Sequence, residues 1–150
     1  RPIQGRVESA AAGTSPGGRM IKLTITIPGQ PIAKKRPRFA RRGKFVTTYN
    51  PQETEEGKFV CLMRGQFDGP PIPAGIPVFM SIYFSVKMPK SLPKKKREIG
   101  PVRKPDIDNM IKFVMDCANG ILWNDDAQVV HIEATKVYDE NPQTKIYLEW

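Results

Sequence analysis

The chain has 150 residues, with 24 Lys and Arg against 15 Asp and Glu, and a net charge of +9 at neutral pH. This length suits one domain with a substantial core, and the positive charge suits a polyanionic partner such as nucleic acid. No apolar run approaches the roughly 20 residues of a membrane span, and Cys61 and Cys117 lack the spacing of a zinc or disulfide framework. We therefore expect a cytoplasmic protein without a membrane partner.

The N-terminal residues are rich in Gly, Ala, Ser, Pro and Arg and lack the apolar core of a signal peptide. We expect residues 1–19 to be a flexible leader or an added extension. Met20 is then the native start, and residues 20–150 form the folded domain. Polar and apolar residues alternate directly after Met20, which predicts a half-buried strand over 20–27.

A first basic segment, residues 34–44, carries seven Lys and Arg and one aromatic residue, Phe39. Basic side chains of this kind contact phosphates and position a duplex without reading its sequence. Phe39 could stack on an unpaired base, wedge at a branch point, or simply contact the core. The residues that we assign to DNA contact in this segment are Lys34, Lys35, Arg36, Arg38, Arg41 and Arg42.

Two strands and a helix are predicted after this segment. A short strand covers 45–49, and a helix begins with Asn50 as its N-cap and ends near Arg64. Leu62 is among the residues of this helix that we expect to face the core. The apolar run 78–86 predicts a central strand.

A second basic segment spans residues 87–104, and its length is typical of a functional or mobile loop. We assign further phosphate contacts to this segment and to one residue of a later strand. These residues are Lys94, Lys95, Lys96, Arg97, Arg103, Lys104 and Lys136.

A second helix is predicted over about 106–119, with Gly120 at its C′ position. Its buried stripe is predicted from apolar residues at helical spacing, namely Ile107, Ile111, Val114, Ala118 and Ile121. Two closing strands follow over 127–138 and 144–150. The whole pattern predicts an α+β domain, with a mixed sheet of four to five strands and two packed helices.

Acidic residues lie at both ends of this second helix. Asp106 and Asp108 begin it, and Asp125 and Asp126 follow the turn after it. Carboxylates from two segments suit a hard divalent cation such as Mg²⁺. A purely structural explanation is also open, because Asp is a favoured N-cap and turn residue, and Asp at i with Lys at i+4 makes an ordinary surface ladder.

The two acidic groups together resemble the signature of the RusA family of Holliday-junction resolvases, which are phage- and prophage-associated endonucleases of bacteria. That signature is a D-x-D-N-x-x-K segment followed by a D-D-x-Q turn. The matching residues here are Asp106, Asp108, Asn109, Lys112, Asp125, Asp126 and Gln128. A looser likeness extends over most of residues 20–150. Pro105 stands where some members have a basic residue, and Arg103 or Lys104 could substitute for it.

The resemblance implies a homodimer that resolves four-way DNA junctions by paired symmetric nicks during recombination and repair, using Mg²⁺ with Mn²⁺ as a possible substitute. It implies that Asp106, Asp108 and Asp126 are the essential acids and metal ligands. Lys112 matches the essential lysine, which could offset the acidic charge, orient the scissile phosphate or stabilise developing negative charge.

Four other polar residues have open roles. Asn109 could orient an aspartate or a phosphate, Asp125 could support the metal ligands or cap its turn, and Asp116 could support the ligands or pair with Lys112. His131 could act as a general base or be an ordinary strand histidine. Two alternative functions also stay open, a branched-DNA or RNA-binding protein without catalysis and a metal nuclease that acts on flaps or duplex DNA.

Overall fold

The computed structural model describes residues 19–150, so the leader predicted over 1–19 lies outside the described residues except for Arg19. The domain boundary at residue 20 stays a prediction. The strands are β1 Lys22–Pro28, β2 Arg38–Arg42, β3 Phe45–Tyr49, β4 Val78–Lys87, β5 Val129–Asp139 and β6 Gln143–Glu149. The helices are α1 Glu53–Arg64, α2 Lys94–Arg97, α3 Ile107–Ala118 and a 3₁₀ turn at Asp126–Gln128.

Four strands form one mixed sheet in the order β1-β6-β4-β5. β6 pairs antiparallel with both β1 and β4, while β4 and β5 run parallel. The parallel pair needs a crossover, and the chain between β4 and β5 supplies it with α3. The predicted α+β class with a mixed sheet is therefore confirmed. The basic segment 34–44 contains an unpredicted strand, β2, which pairs with β3 in a separate two-stranded sheet.

The core lies between one face of the four-stranded sheet and the helices α1 and α3. Phe59 of α1 and Phe113 of α3 meet edge to face with ring centroids 5.3 Å apart, which joins the two helices. Each large apolar side chain buried here contributes roughly 1.5–3 kcal/mol relative to exposure. The buried sheet residues that belong to this apolar core are Ile25, Ile27, Val78, Met80, Ile82, Phe84, Ile146 and Leu148.

The predicted start of α1 is wrong. The helix begins at Glu53 with Gln52 in the N-cap position and no capping side chain. The Asn50 side chain instead accepts a hydrogen bond from the Gln52 N–H at 2.9 Å and donates to Glu56 Oε2 at 2.8 Å. Asn50 thus forms a local turn before the helix, which competes with capping. Leu62, which we expected in the core, is exposed.

The buried stripe of α3 is centred differently from the prediction. Val114 and Ala118 are buried as expected, whereas Ile107, Ile111 and Ile121 are only half-buried. The centre of the stripe is formed by Met110, Phe113 and Cys117. Gly120 takes the positive φ of 76° that suits the C′ position, which confirms its predicted role. Within residues 19–150, none of the helices has the length and apolar character to cross a membrane.

Candidate active site and nucleic-acid interface

The first turn of α3 presents Asp106 and Asp108 to solvent. Asp106 occupies the N-cap position, but its carboxylate makes no capping hydrogen bond. Its ion pair is with Lys104, at 3.4 Å on the open surface, where such pairs contribute little. A structural role as a helix cap therefore does not explain Asp106.

Lys112 lies one turn after Asp108 on the exposed side of α3. Among residues 19–150, neither side chain takes part in an ion pair or a side-chain hydrogen bond. The surface ladder that we considered as an alternative is absent. Both charged groups are available to bind something outside the chain.

Asp116 pairs with Lys34 rather than with Lys112. The Lys34 ammonium lies 2.7 Å from Glu56 Oε1 and 3.1 Å from Asp116 Oδ2, so it bridges α1 and α3. Burial lowers the pKa of Lys34, but hydrogen bonds to both carboxylates outweigh this effect and leave its pKa above the usual value. The backbone N–H of Lys34 also donates to the Asn109 carbonyl at 2.9 Å. Lys34 is therefore engaged in holding the two helices together.

The D-D-x-Q turn is built around Gln128, which is buried. Its side-chain oxygen accepts the N–H groups of Asn124 and Asp125 at 2.9 and 3.0 Å. Its amide nitrogen donates to the carbonyls of Pro73 and Ile76 at 2.7 and 3.1 Å. Gln128 thereby fixes the turn to the loop before β4, a role that sequence reasoning did not assign to it.

The two aspartates of this turn differ in their surroundings. Asp125 caps the 3₁₀ turn by accepting the Ala127 N–H at 2.9 Å. Capping this turn was one of the two roles predicted for Asp125. Asp126 accepts a hydrogen bond on Oδ1 from the indole N–H of the fully buried Trp123 at 2.8 Å. The other carboxylate oxygen has no hydrogen-bond partner among the described residues. Trp123 therefore orients Asp126 and leaves that oxygen available for a ligand.

The structure does not bring Asp126 beside Asp106 and Asp108 in one chain. Asp106 and Asp108 lie at the N-terminal end of α3, and the turn with Asp126 follows its C-terminal end. A helix of twelve residues is about 18 Å long. Consistently, no group of three His, Cys, Asp or Glu side chains in residues 19–150 is placed to hold a metal ion.

Both basic segments lead to the N-terminal half of α3. At the base of the first, the buried Gln52 side chain accepts the Lys35 N–H at 2.7 Å and donates to the Ala33 carbonyl at 2.8 Å. In the second, the Lys136 ammonium donates to the carbonyls of Arg103 and Pro105 at 2.9 and 3.0 Å. Lys136 therefore holds the chain that enters α3.

Most of the other predicted phosphate-binding residues are exposed. Lys35 makes a long contact of 3.9 Å with Glu55. Exposed residues for which the described chain shows no ion pair are Arg36, Arg38, Arg41, Arg42, Lys94, Lys95, Lys96, Arg97 and Arg103. Their charges are free to attract phosphates.

His131 lies away from these groups. It pairs in register with Phe79, whose ring is 6.2 Å from the imidazole, on the sheet face opposite to the buried Met80. Because α3 packs on the buried face, His131 does not reach Asp108 or Lys112. The position favours an ordinary strand histidine over a general base.

The comparisons with known proteins agree with the motif. Residues 28–149 match the family described as Endodeoxyribonuclease RusA. The chain is also 34% identical over 135 residues to the uncharacterized protein YqaN of Bacillus subtilis (strain 168), a match that covers 84% of this chain and 94% of that protein. The chain therefore belongs to the RusA family of endodeoxyribonucleases.

Proposed function

We propose that this protein is a metal-dependent endonuclease that resolves four-way DNA junctions in the cytoplasm by paired symmetric nicks. The observation that carries this proposal is the state of Asp106, Asp108 and Lys112. All three are exposed, and within the described chain Asp108 and Lys112 have no partner while Asp106 has only a surface pair with Lys104. The first basic segment contacts the start of α3 through Lys34, and the second leads directly into it. Family membership supports a nuclease, and the free acids and lysine support the position of its site.

The donor chemistry of the site fits Mg²⁺, with Mn²⁺ as a substitute. Asp106 and Asp108 offer exposed carboxylates, and Asp126 offers one oxygen beyond the one held by Trp123. Hard cations of this kind prefer carboxylate oxygens. When bound, the metal would neutralise charge on the phosphoryl group and supply an activated water.

The separation of the acids supports a homodimer. Mg²⁺ binds oxygens at about 2.0–2.1 Å, so one ion cannot reach both ends of a helix that is about 18 Å long. We therefore propose that Asp126 of a second protomer completes the ligand set around Asp106 and Asp108. Two such sites related by a twofold axis suit two opposed strands of a junction.

The third proposed element of the site is the ammonium group of Lys112. No carboxylate of the described chain forms an ion pair with its ammonium, which leaves the ammonium available to a ligand. We propose that Lys112 binds a non-bridging oxygen of the scissile phosphate and stabilises the charge that develops there. The exposed lysines and arginines would hold the flanking duplex by its phosphates.

The first test is strand cleavage of a synthetic four-way junction by variants with single substitutions. Asp106→Asn, Asp108→Asn and Asp126→Asn should each abolish cleavage in Mg²⁺. Each should leave junction binding intact, because removing negative charge does not weaken attraction to phosphates. Full activity in any variant would remove that residue from the site, and tight binding without cuts in Mg²⁺ or Mn²⁺ by the native chain would favour a non-catalytic binder.

Subunit complementation tests the shared site directly. In a mixed dimer of Asp108→Asn and Asp126→Asn protomers, one site carries both changes and the other carries neither. Mixing the two inactive proteins should therefore restore nicking, but of one strand per junction rather than two. Continued inactivity in mixtures that demonstrably contain mixed dimers would show that each site lies within one chain.

A further inference from the structure

The hairpin of β2 and β3, which we call the arm (residues 38–49), stands apart from the rest of the fold. Its strands pair with each other, and no other strand or helix of residues 19–150 packs extensively against them. Phe39 is 74% exposed and Phe45 is 78% exposed. Val46 and Tyr49 are exposed as well. An isolated hairpin with this much apolar surface is marginally stable alone, which indicates that the arm has a binding partner.

The charge of the arm identifies the partner as a polyanion. The arm contains four Lys and Arg, namely Arg38, Arg41, Arg42 and Lys44, and no Asp or Glu. A second copy of the arm would bring like charges together, which disfavours an arm-to-arm contact between protomers. Basic side chains interleaved with aromatic ones are typical of surfaces that bind unpaired nucleic acid.

The register places one cation beside the outermost aromatic ring. Arg42 and Phe45 are cross-strand partners directly next to the turn at the free end of the arm. Cross-strand partners share one face of a hairpin, with Cβ atoms about 4.5–5.5 Å apart. Phe39, which pairs with Thr48, lies three positions before Arg42 on the same strand. Because side chains alternate between the two faces along a strand, Phe39 belongs to the face opposite Arg42 and Phe45. A flat ring and a guanidinium are therefore side by side at the tip.

The base of the arm is fixed to the proposed active site. Gln52, which is completely buried, ties Ala33 and Lys35 together where the chain enters and leaves the arm. The neighbouring Lys34 binds the Asn109 carbonyl on the first turns of α3. The base of the arm is therefore anchored to the helix that carries Asp108 and Lys112.

We propose that the arm recognises the branch point of the junction. Phe45 stacks on a base face that is exposed where the four strands exchange, while Arg42 binds an adjacent phosphate. In an intact duplex every base face is covered by its neighbours, so Phe45 gains this contact only at a branch or after unstacking. The arm thus contributes selectivity for junctions over duplex, an inference that rests on the function proposed above.

The test measures binding separately from cleavage. Fluorescence anisotropy in EDTA gives affinities for a labelled four-way junction and for a duplex of the same arm sequence, over a series of salt concentrations. Phe45→Ala should weaken junction binding roughly tenfold, the size of loss that one stacked base accounts for, and leave duplex binding unchanged. The slope of log affinity against log salt should stay the same, because no phosphate contact is removed.

Two further variants separate stacking from other contacts. Phe45→Leu keeps an apolar side chain without a flat ring and should lose about as much junction affinity as Phe45→Ala. Arg42→Gln should instead flatten the salt slope by about 0.9, the value for one phosphate contact. Circular dichroism of each variant checks that the fold is intact.

Three results would overturn the arm proposal. Equal losses on junction and duplex would make Phe45 a general contact, and native affinity in Phe45→Leu would replace stacking with apolar packing. A shift from dimer to monomer in Phe45→Ala, seen by sedimentation, would make a second protomer the occupant. If the native chain cuts junctions and Phe45→Ala binds them normally, only the arm proposal fails. If the native chain neither binds nor cuts junctions, the proposed function fails with it.

Discussion

Replacing Gln128 with Leu should destabilise the protein and disable the turn that carries Asp126. The substitution keeps a similar volume but removes two acceptor and two donor contacts of 2.7–3.1 Å. Each such hydrogen bond contributes about 0.5–1.5 kcal/mol net, which gives about 2–6 kcal/mol for four. Water can reach the exposed N–H side of the turn, so we expect the lower half of that range, about 2–4 kcal/mol. For a chain of this size the melting temperature would fall by about 5–15 °C.

Urea and thermal unfolding measure this loss, and junction cleavage at a temperature where the variant is folded measures the effect on Asp126. Gln143→Leu is the matched control, because Gln143 is half-buried in β6 and its side chain makes no hydrogen bond among the described residues. We expect that control to change stability by less than about 1 kcal/mol. A Gln128→Leu protein with native stability and native cleavage would refute the argument that this side chain fixes the turn.

Three other predictions concern Lys34, the cysteines and Lys136. Lys34→Met should cost about 1.5–3 kcal/mol at neutral pH in urea unfolding. The pKa of Lys34 in the folded protein is raised above its ordinary 10.5. Its contribution to stability is therefore complete below about pH 10.5 and is lost as the pH rises through the folded pKa. A stability difference between native protein and Lys34→Met that persists unchanged at higher pH would contradict the bridge. Burial raises the pKa of the Cys117 thiol to about 12, whereas Cys61 is exposed. Iodoacetamide at about pH 8 should therefore label Cys61 and spare Cys117 in the native protein. Rapid labelling of both, detected by mass spectrometry, would count against the packing of α3. Lys136→Met should lower cleavage by the folded protein at least tenfold, because the carbonyl of Pro105 loses its partner next to Asp106. The loss of two hydrogen bonds should also cost about 1–3 kcal/mol in urea unfolding. Unchanged cleavage would show that this contact does not position the acid.

The sequence predicts regular elements well where periodicity and terminal signals agree. The bounds of α3 were predicted to within one residue, because the apolar period and Gly120 both mark its end. The start of α1 was predicted wrongly, because Asn50 has the chemistry of a helix cap and of a local turn alike. Its choice depends on Glu56, whose carboxylate binds the Asn50 amide. Glu56 is itself held by Lys34 from a distant part of the chain, and the helix-capping propensity of Asn50 does not contain that contact.

The chemistry of the site is more predictable than its arrangement. The residue types and spacings indicate the acids, but not that the turn carrying Asp126 follows the far end of α3 from Asp106. Lys34 looks in sequence like any other member of a basic run. Its partners Glu56 and Asp116 lie on two different helices, so only the fold shows that it is a bridge.

The placement of acids at opposite ends of α3 has a consequence for how the activity is controlled. If each site needs two chains, a lone chain is inert, and the number of assembled sites rises with the square of the protein concentration when the protein is dilute. Cleavage would then switch on sharply as the protein accumulates and fade as it is diluted by growth. On that proposal, cutting is prevented until enough of the protein is present to form pairs.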